Sequence, residues 1–271
     1  MALNVYQASL MGRSKKVDGI CHLCGAPGPL SLEHVPPRAA FNDRPVHLYP
    51  FEEAFNLAPG EQPRSKGTVQ QRGAGAYTLC SRCNNNTGSW YGKHFVAWCY
   101  QGMELLSRTN GRPSLIYLNY VFPLSIIKQI ATMFFSINGE RFRQVNPELE
   151  AFVLDRDRKY LPPRYRFYVY LNAEGRHRSL AVTGTLHVPT STNRTMTEIT
   201  YPPYGYLLTF NCLPPDERLF DITHFARFDY GQFDVMELRL PVIPTHTSFP
   251  GDYRTRDQIF LDAARDAAVG E

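Results

Sequence analysis

The chain has 271 residues, 43% of them hydrophobic and 20% charged, with a net charge of +4. These values exclude wholesale disorder and suit one large globular domain or two modest ones. Its 21 prolines, 16 tyrosines and 17 phenylalanines argue against a long helical bundle. Residues 1–18 read as a basic lead-in with Arg13, Lys15 and Lys16, lacking the apolar core and cleavage site of a secretory signal. From Pro45 to Ala76 the density of Gly and Pro predicts a long loop excursion. From Trp90 to Leu106 the pattern turns helical, with Phe95, Trp98, Cys99 and Met103 able to share a face.

Asn110-Gly111-Arg112-Pro113 reads as a turn or linker. The stretch Leu115–Ile137 is the most apolar, but Asn119, Pro123, Ser125 and Gln129 interrupt it. Ile126, Ile127, Ile130, Phe134 and Ile137 instead predict a buried helix over about 124–137, and no membrane span is expected. Strand-like runs follow at 166–171, 180–188, 204–210 and 235–240, punctuated by prolines. A short closing helix is expected to turn Ile259, Phe260 and Ala263 inward. The fold class is therefore α+β, divided into a lead-in (1–18), a metal-rich unit (19–108) and an α+β domain (109–271).

Charge is unevenly shared. Residues 1–100 hold 10 Lys/Arg and 6 Asp/Glu, while residues 101–271 hold 19 of each. The chemistry concentrates in the same first third. Cys21-His22-Leu23-Cys24-Gly25 and Cys80-Ser81-Arg82-Cys83 are two C-x-x-C pairs. In a chain without a secretory signal they indicate a metal site rather than a disulfide framework. Four thiolates close a tetrahedral shell, so Cys21, Cys24, Cys80 and Cys83 predict one structural zinc. His22 lies inside the first pair and is a spare donor. Cys99 and Cys212 read as small core residues.

Between the pairs, Leu30-Ser31-Leu32 alternates like a strand and delivers Glu33-His34 to its end, where Pro36 and Pro37 stop it. An adjacent carboxylate and imidazole can divide labour, one holding a cation and the other taking a proton from water. The ordered set Cys21, Cys24, Gly25, Glu33, His34, Pro37, Leu79, Cys80, Cys83, Asn84 and Gly88 resembles the HNH endonuclease family over roughly residues 19–100. The resemblance implies a β-hairpin followed by a helix, a ββα unit clasping a catalytic divalent metal, Mg²⁺ or Mn²⁺, with zinc stapling its ends. It implies Glu33 as acidic metal ligand, His34 as general base, and Asn84 (or Asn85, one position on) as second ligand from the helix. It further implies hydrolysis of DNA to 5′-phosphate and 3′-hydroxyl ends. Three positions depart from the family. Glu33 stands where Asp is usual, Ala76 where an Asn commonly steadies the histidine loop, and Thr87 where a basic residue often follows. His34 must then draw its support from elsewhere.

Arg38, Arg64, Lys66, Arg72 and Arg82 flank this unit in sequence and can neutralise phosphates. Trp90-Tyr91 and His94 read as packing residues of the following helix. A non-catalytic zinc module that binds nucleic acid or protein, and an RNase on the same site, are the competing functions. The expected setting is cytoplasmic, with antiviral defence as an analogy drawn from architecture. The 109–271 domain is left to dimerise, bind a regulatory partner, sense a ligand or select a DNA feature.

Overall fold

The computed structural model describes residues 17–50, 53, 57, 61, 67–108, 112–187 and 192–269. Arg64 and Lys66 lie outside the described residues. The chain is mixed α+β. The first sheet has the order β1-β2-β5, built from β1 (Val17–Ile20), β2 (Pro27–His34) and β5 (Gly75–Cys80), all antiparallel. The excursion between β2 and β5 carries a small hairpin, β3 (Val46–Leu48) with β4 (Thr68–Gln70). Helix α1 (Ser81–Thr87) leaves directly from β5, and a π-helical turn, Gly88–Gly92, joins it to α2 (Lys93–Ser107).

Strand β6 (Ser114–Val121) follows and pairs with the late strand β12 (Asp234–Pro241) in a two-stranded ribbon. Pro123 opens α3 (Pro123–Ile137), where its missing N–H costs nothing. Two short helices, α4 (Arg141–Val145) and α5 (Pro147–Leu154), lead into a five-stranded antiparallel sheet of order β11-β7-β10-β9-β8. Its members are β7 (Tyr165–Leu171), β8 (Arg178–His187), β9 (Thr192–Tyr201), β10 (Tyr204–Phe210) and β11 (Phe220–Asp221). Helix α6 (Arg256–Val269) ends the described chain.

The expected apolar stripe on α3 understates its position, because all 15 of its residues are buried. It touches the π turn, α2, α5, β5, β8, β9 and a 3₁₀ turn at Thr223–Arg227. One contiguous buried cluster runs from Cys21 and Leu79 through Trp98, Ile130 and Phe167 to Leu240. Phe167, Val169 and Leu171 of β7 face this cluster, while Tyr168 and Tyr170 face a second one with Met196, Leu207 and Tyr253. The closing helix departs from the expected inward set of Ile259, Phe260 and Ala263. Ile259 is buried, but Phe260 and Ala263 are exposed, since only a narrow stripe of α6 meets the body.

The interior holds two charged features that periodicity does not announce. Glu198 of β9 and Arg178 of β8 form a buried ion pair at 3.1 Å, completed by Tyr170 and by the carbonyls of Thr247 and Asp252. Lys128 of α3 is fully buried and donates to the carbonyls of Asp155 (2.6 Å) and Arg156 (2.9 Å), just past the end of α5. Its ammonium also lies over the ring of Phe152, 4.6 Å from the centroid. Burial pulls this lysine down to about 7. In the unfolded chain its value is about 10.4. Between these values the unfolded chain binds more protons, so stability rises with pH over this window. Urea unfolding at neutral and mildly alkaline pH should show a rise in wild type that Lys128→Met lacks.

Candidate active site and cysteine cluster

The first cysteine pair sits in a tight turn between β1 and β2. Gly25 N–H donates to the Cys21 carbonyl at 2.8 Å, and Gly25 adopts φ +72°, which only glycine takes without strain. The Arg143 guanidinium packs where a Cβ on residue 25 would stand. The second pair spans the end of β5 and the first turn of α1, so the antiparallel pairing of β2 with β5 carries it to the first. The four Sγ atoms all lie within 4.8 Å of one another, and Cys24 and Cys80 are 3.8 Å apart. A tetrahedral Zn–S shell of about 2.3 Å bonds demands sulfur separations of about 3.8 Å, so the cluster fits structural zinc. Packed this closely, the thiols contend for charge. The hydrogen bond from Cys83 pulls Cys21 well down, while that same pairing pushes Cys83 up. A divalent cation removes the conflict by holding all four as thiolates.

His22 turns away from the sulfurs, its Nδ1 3.3 Å from the Ser136 carbonyl of α3. Leu23 is fully buried beside it. The cysteine turn is thereby docked on the central helix. Cys99 is buried, whereas Cys212 is only half-buried and donates to the Thr195 carbonyl.

Glu33 and His34 end β2, opposite Ala76 and Gly75 of β5. The register shift between Ser31 and Leu32 leaves Thr78 as the extra residue on β5, so alternation along β2 is intact. Ser31 and Glu33 thus share one face, with Leu32 and His34 on the other. Asn84 of α1 meets that first face. Its Nδ2 donates to Ser31 Oγ at 3.0 Å and to the Leu32 carbonyl at 3.2 Å, leaving Oδ1 without a protein donor among the described residues. Asn85 is exposed on another side of the helix.

Glu33 is buried, and among the described residues no hydrogen bond or ion pair reaches its carboxyl. Desolvation alone pushes it up to about 8. A buried carboxylate without a partner is costly, and a cation is one of the few things that relieves it. The Glu33 carboxyl and the Asn84 amide oxygen are both oxygen donors, the kind a hard divalent ion takes.

His34 is half-buried. Its Nε2 lies 3.1 Å from the Arg72 carbonyl, which can only accept, so Nε2 carries the proton and Nδ1 keeps its lone pair. Burial, assisted by nearby Arg38, lowers its pKa below the usual histidine value, so the ring is neutral at pH 7. Arg38, Arg72 and Arg82 are all exposed. Trp90 is half-buried and Tyr91 fully buried, its hydroxyl donating to the Val153 carbonyl at 2.8 Å. His94 stacks on Phe122 at 3.9 Å.

The support missing at Ala76 comes from Asn42, a residue the sequence reading passed over. Fully buried, Asn42 donates to the carbonyls of Pro36 (2.7 Å) and Ala74 (2.8 Å) and accepts from Ala74 N–H (2.7 Å). It ties the segment after His34 to the one that holds Arg72. Gly73, at φ +94°, admits the close approach, for a Cβ there would strike the Asn42 backbone. Asn42→Ala removes all three bonds and, among the described residues, leaves the Pro36 carbonyl and the Ala74 N–H unpaired, while the Ala74 carbonyl keeps the Val35 N–H; it should cost about 2–4 kcal/mol, read by chemical denaturation. A loss below about 0.5 kcal/mol, the range of a bystander surface change, would show that the loop does not depend on it.

No protein-family model, curated protein or solved structure matches this chain. Among the described residues no helix is long and apolar enough to cross a membrane.

Proposed function

We propose that the chain is a metal-dependent endonuclease of the HNH type, acting on DNA, with Glu33, His34 and Asn84 as its working residues. What supports the reading is one juxtaposition. A strand ends in a buried carboxyl and a neutral histidine whose Nδ1 has no partner among the described residues, and the helix packed on the face that carries Glu33 offers an amide oxygen from Asn84. The cysteine cluster pins the start of β2 to the start of that helix.

The reaction is phosphodiester hydrolysis. His34 Nδ1 accepts a proton from a water whose oxygen attacks phosphorus, and the bond to the 3′ oxygen breaks. The 3′ oxygen leaves as a hydroxyl, its proton drawn from solvent, and phosphate remains on the 5′ side. Bound at Glu33 and Asn84, a hard divalent ion such as Mg²⁺ or Mn²⁺ supplies positive charge against the charge that develops on the phosphate and leaving oxygen. Arg38, Arg72 and Arg82 are exposed and can hold flanking phosphates without reading sequence.

The test is cleavage of plasmid and of single-stranded DNA and RNA by purified protein, with Mg²⁺, with Mn²⁺ and with chelator. DNA cleavage that requires divalent ion is expected. RNA cleavage alone would redirect the reading to an RNase. DNA binding with no cleavage under any metal would leave a non-catalytic zinc module.

A further inference from the structure

The ribbon of β6 and β12 leaves one of its faces uncovered. Ile116, Leu118 and Tyr120 of β6 share that face with Val235 of β12 and with Phe233, which immediately precedes it. All five are between 44% and 59% exposed. Tyr120 stacks on Phe233 at 6.4 Å, and Phe233 meets Phe122 edge-on at 5.5 Å, so the aromatic end is held rigid. The reverse face, through Val121, Leu238 and Leu240, is built into the core. Contiguous apolar surface of this kind on a folded protein marks an interaction site.

Its charges indicate the occupant. Glu237 and Arg239 alternate on the same exposed face, opposite Leu118 and Ile116 respectively. Neither makes an ion pair among the described residues. One acid beside one base gives no net charge, which disfavours a nucleic-acid strand or an anionic membrane. It is, however, self-complementary under a twofold rotation. When a second ribbon is reversed about the midpoint between the two cross-strand pairs, Glu237 falls opposite Arg239 of the partner subunit. Leu118 then falls opposite Ile116 of the partner subunit, which places apolar contacts alongside the two ion pairs.

We infer that this ribbon face is the interface of a twofold dimer of the chain, closed by reciprocal Glu237–Arg239 pairs. A consequence for function, that two sites could address the two strands of a duplex, rests on the nuclease reading. The interface itself does not.

The mass of the full zinc-loaded chain is measured by sedimentation without DNA or added divalent ion, so nuclease failure cannot affect the result. A dimer is expected. Glu237→Arg and Arg239→Glu should each weaken it by at least about tenfold, because each sets like charges together. The double variant Glu237→Arg/Arg239→Glu should recover it, and so should an equimolar mixture of the two single variants. Both positions are exposed, and a melting curve confirms that each variant folds. A monomer at about 100 µM protein would overturn the inference. So would a dimer indifferent to both reversals, or a double variant that fails to recover. A monomer whose affinity for single-stranded DNA falls on Tyr120→Ala would make the face a stacking platform instead.

Discussion

His34→Ala is expected to lower the metal-dependent cleavage rate by roughly 10²–10⁴-fold, the range a positioned general base contributes. The expectation follows from how the ring is held. The Arg72 carbonyl fixes the proton on Nε2, burial keeps the ring neutral, and Nδ1 is the lone pair left for water. Alanine removes that lone pair and little else. His34 is only half-buried and its side chain makes one hydrogen bond among the described residues, so melting temperature and zinc content should stay near wild type. Asn85→Ala, on the exposed side of α1, is the matched control and should cleave normally. Equal rates for wild type and His34→Ala would remove His34 from the mechanism. Equal loss of activity and zinc would mean that the variant had damaged the scaffold instead.

The parts legible in the sequence are those that local pattern determines. Two C-x-x-C pairs draw four sulfurs together wherever the chain between them goes, and the Leu30–Leu32 alternation delivers Glu33 and His34 to a strand end. The β-branched and aromatic run from Ile126 to Ile137 is helical, as its spacing requires. What escaped was set by distant partners. Asn42 lies in a stretch without periodicity, and its importance arises only because residues 36 and 74 come together across the sheet. Strand β9, Thr192–Tyr201, reads as polar. Its Glu198 is buried because Arg178 from the neighbouring strand neutralises it. Lys128 is the one charge in an apolar helix, and the two carbonyls past α5 let it lie inside. Polar residues are illegible in this sense: burial depends on a partner that sequence distance conceals.

The cysteine cluster is where the largest change in stability should appear. Structural zinc contributes roughly 10–16 kcal/mol to folding in small zinc modules, while a whole domain is stable by only about 5–15 kcal/mol. Loss of the ion here would not stay local. Cys21, Leu23 and Cys83 belong to the same buried cluster as α3, and His22 is anchored on the Ser136 carbonyl of that helix. Opening the turn would also separate the start of β2 from α1, and with it Asn84 from the face that holds Glu33. Protein purified under reducing conditions should contain about one zinc per chain, since one set of four thiolates is present. Cys83→Ser should abolish stoichiometric zinc and lower the melting temperature steeply, whereas Cys99→Ser, remote from the cluster and facing the Tyr206 hydroxyl at 3.9 Å, should leave zinc content unchanged. Chelation at neutral pH should reproduce the Cys83→Ser melt, and zinc added back before aggregation should reverse it. Protein that carries no zinc, or that melts identically with and without chelator, would show that these four thiols hold the fold together without a metal.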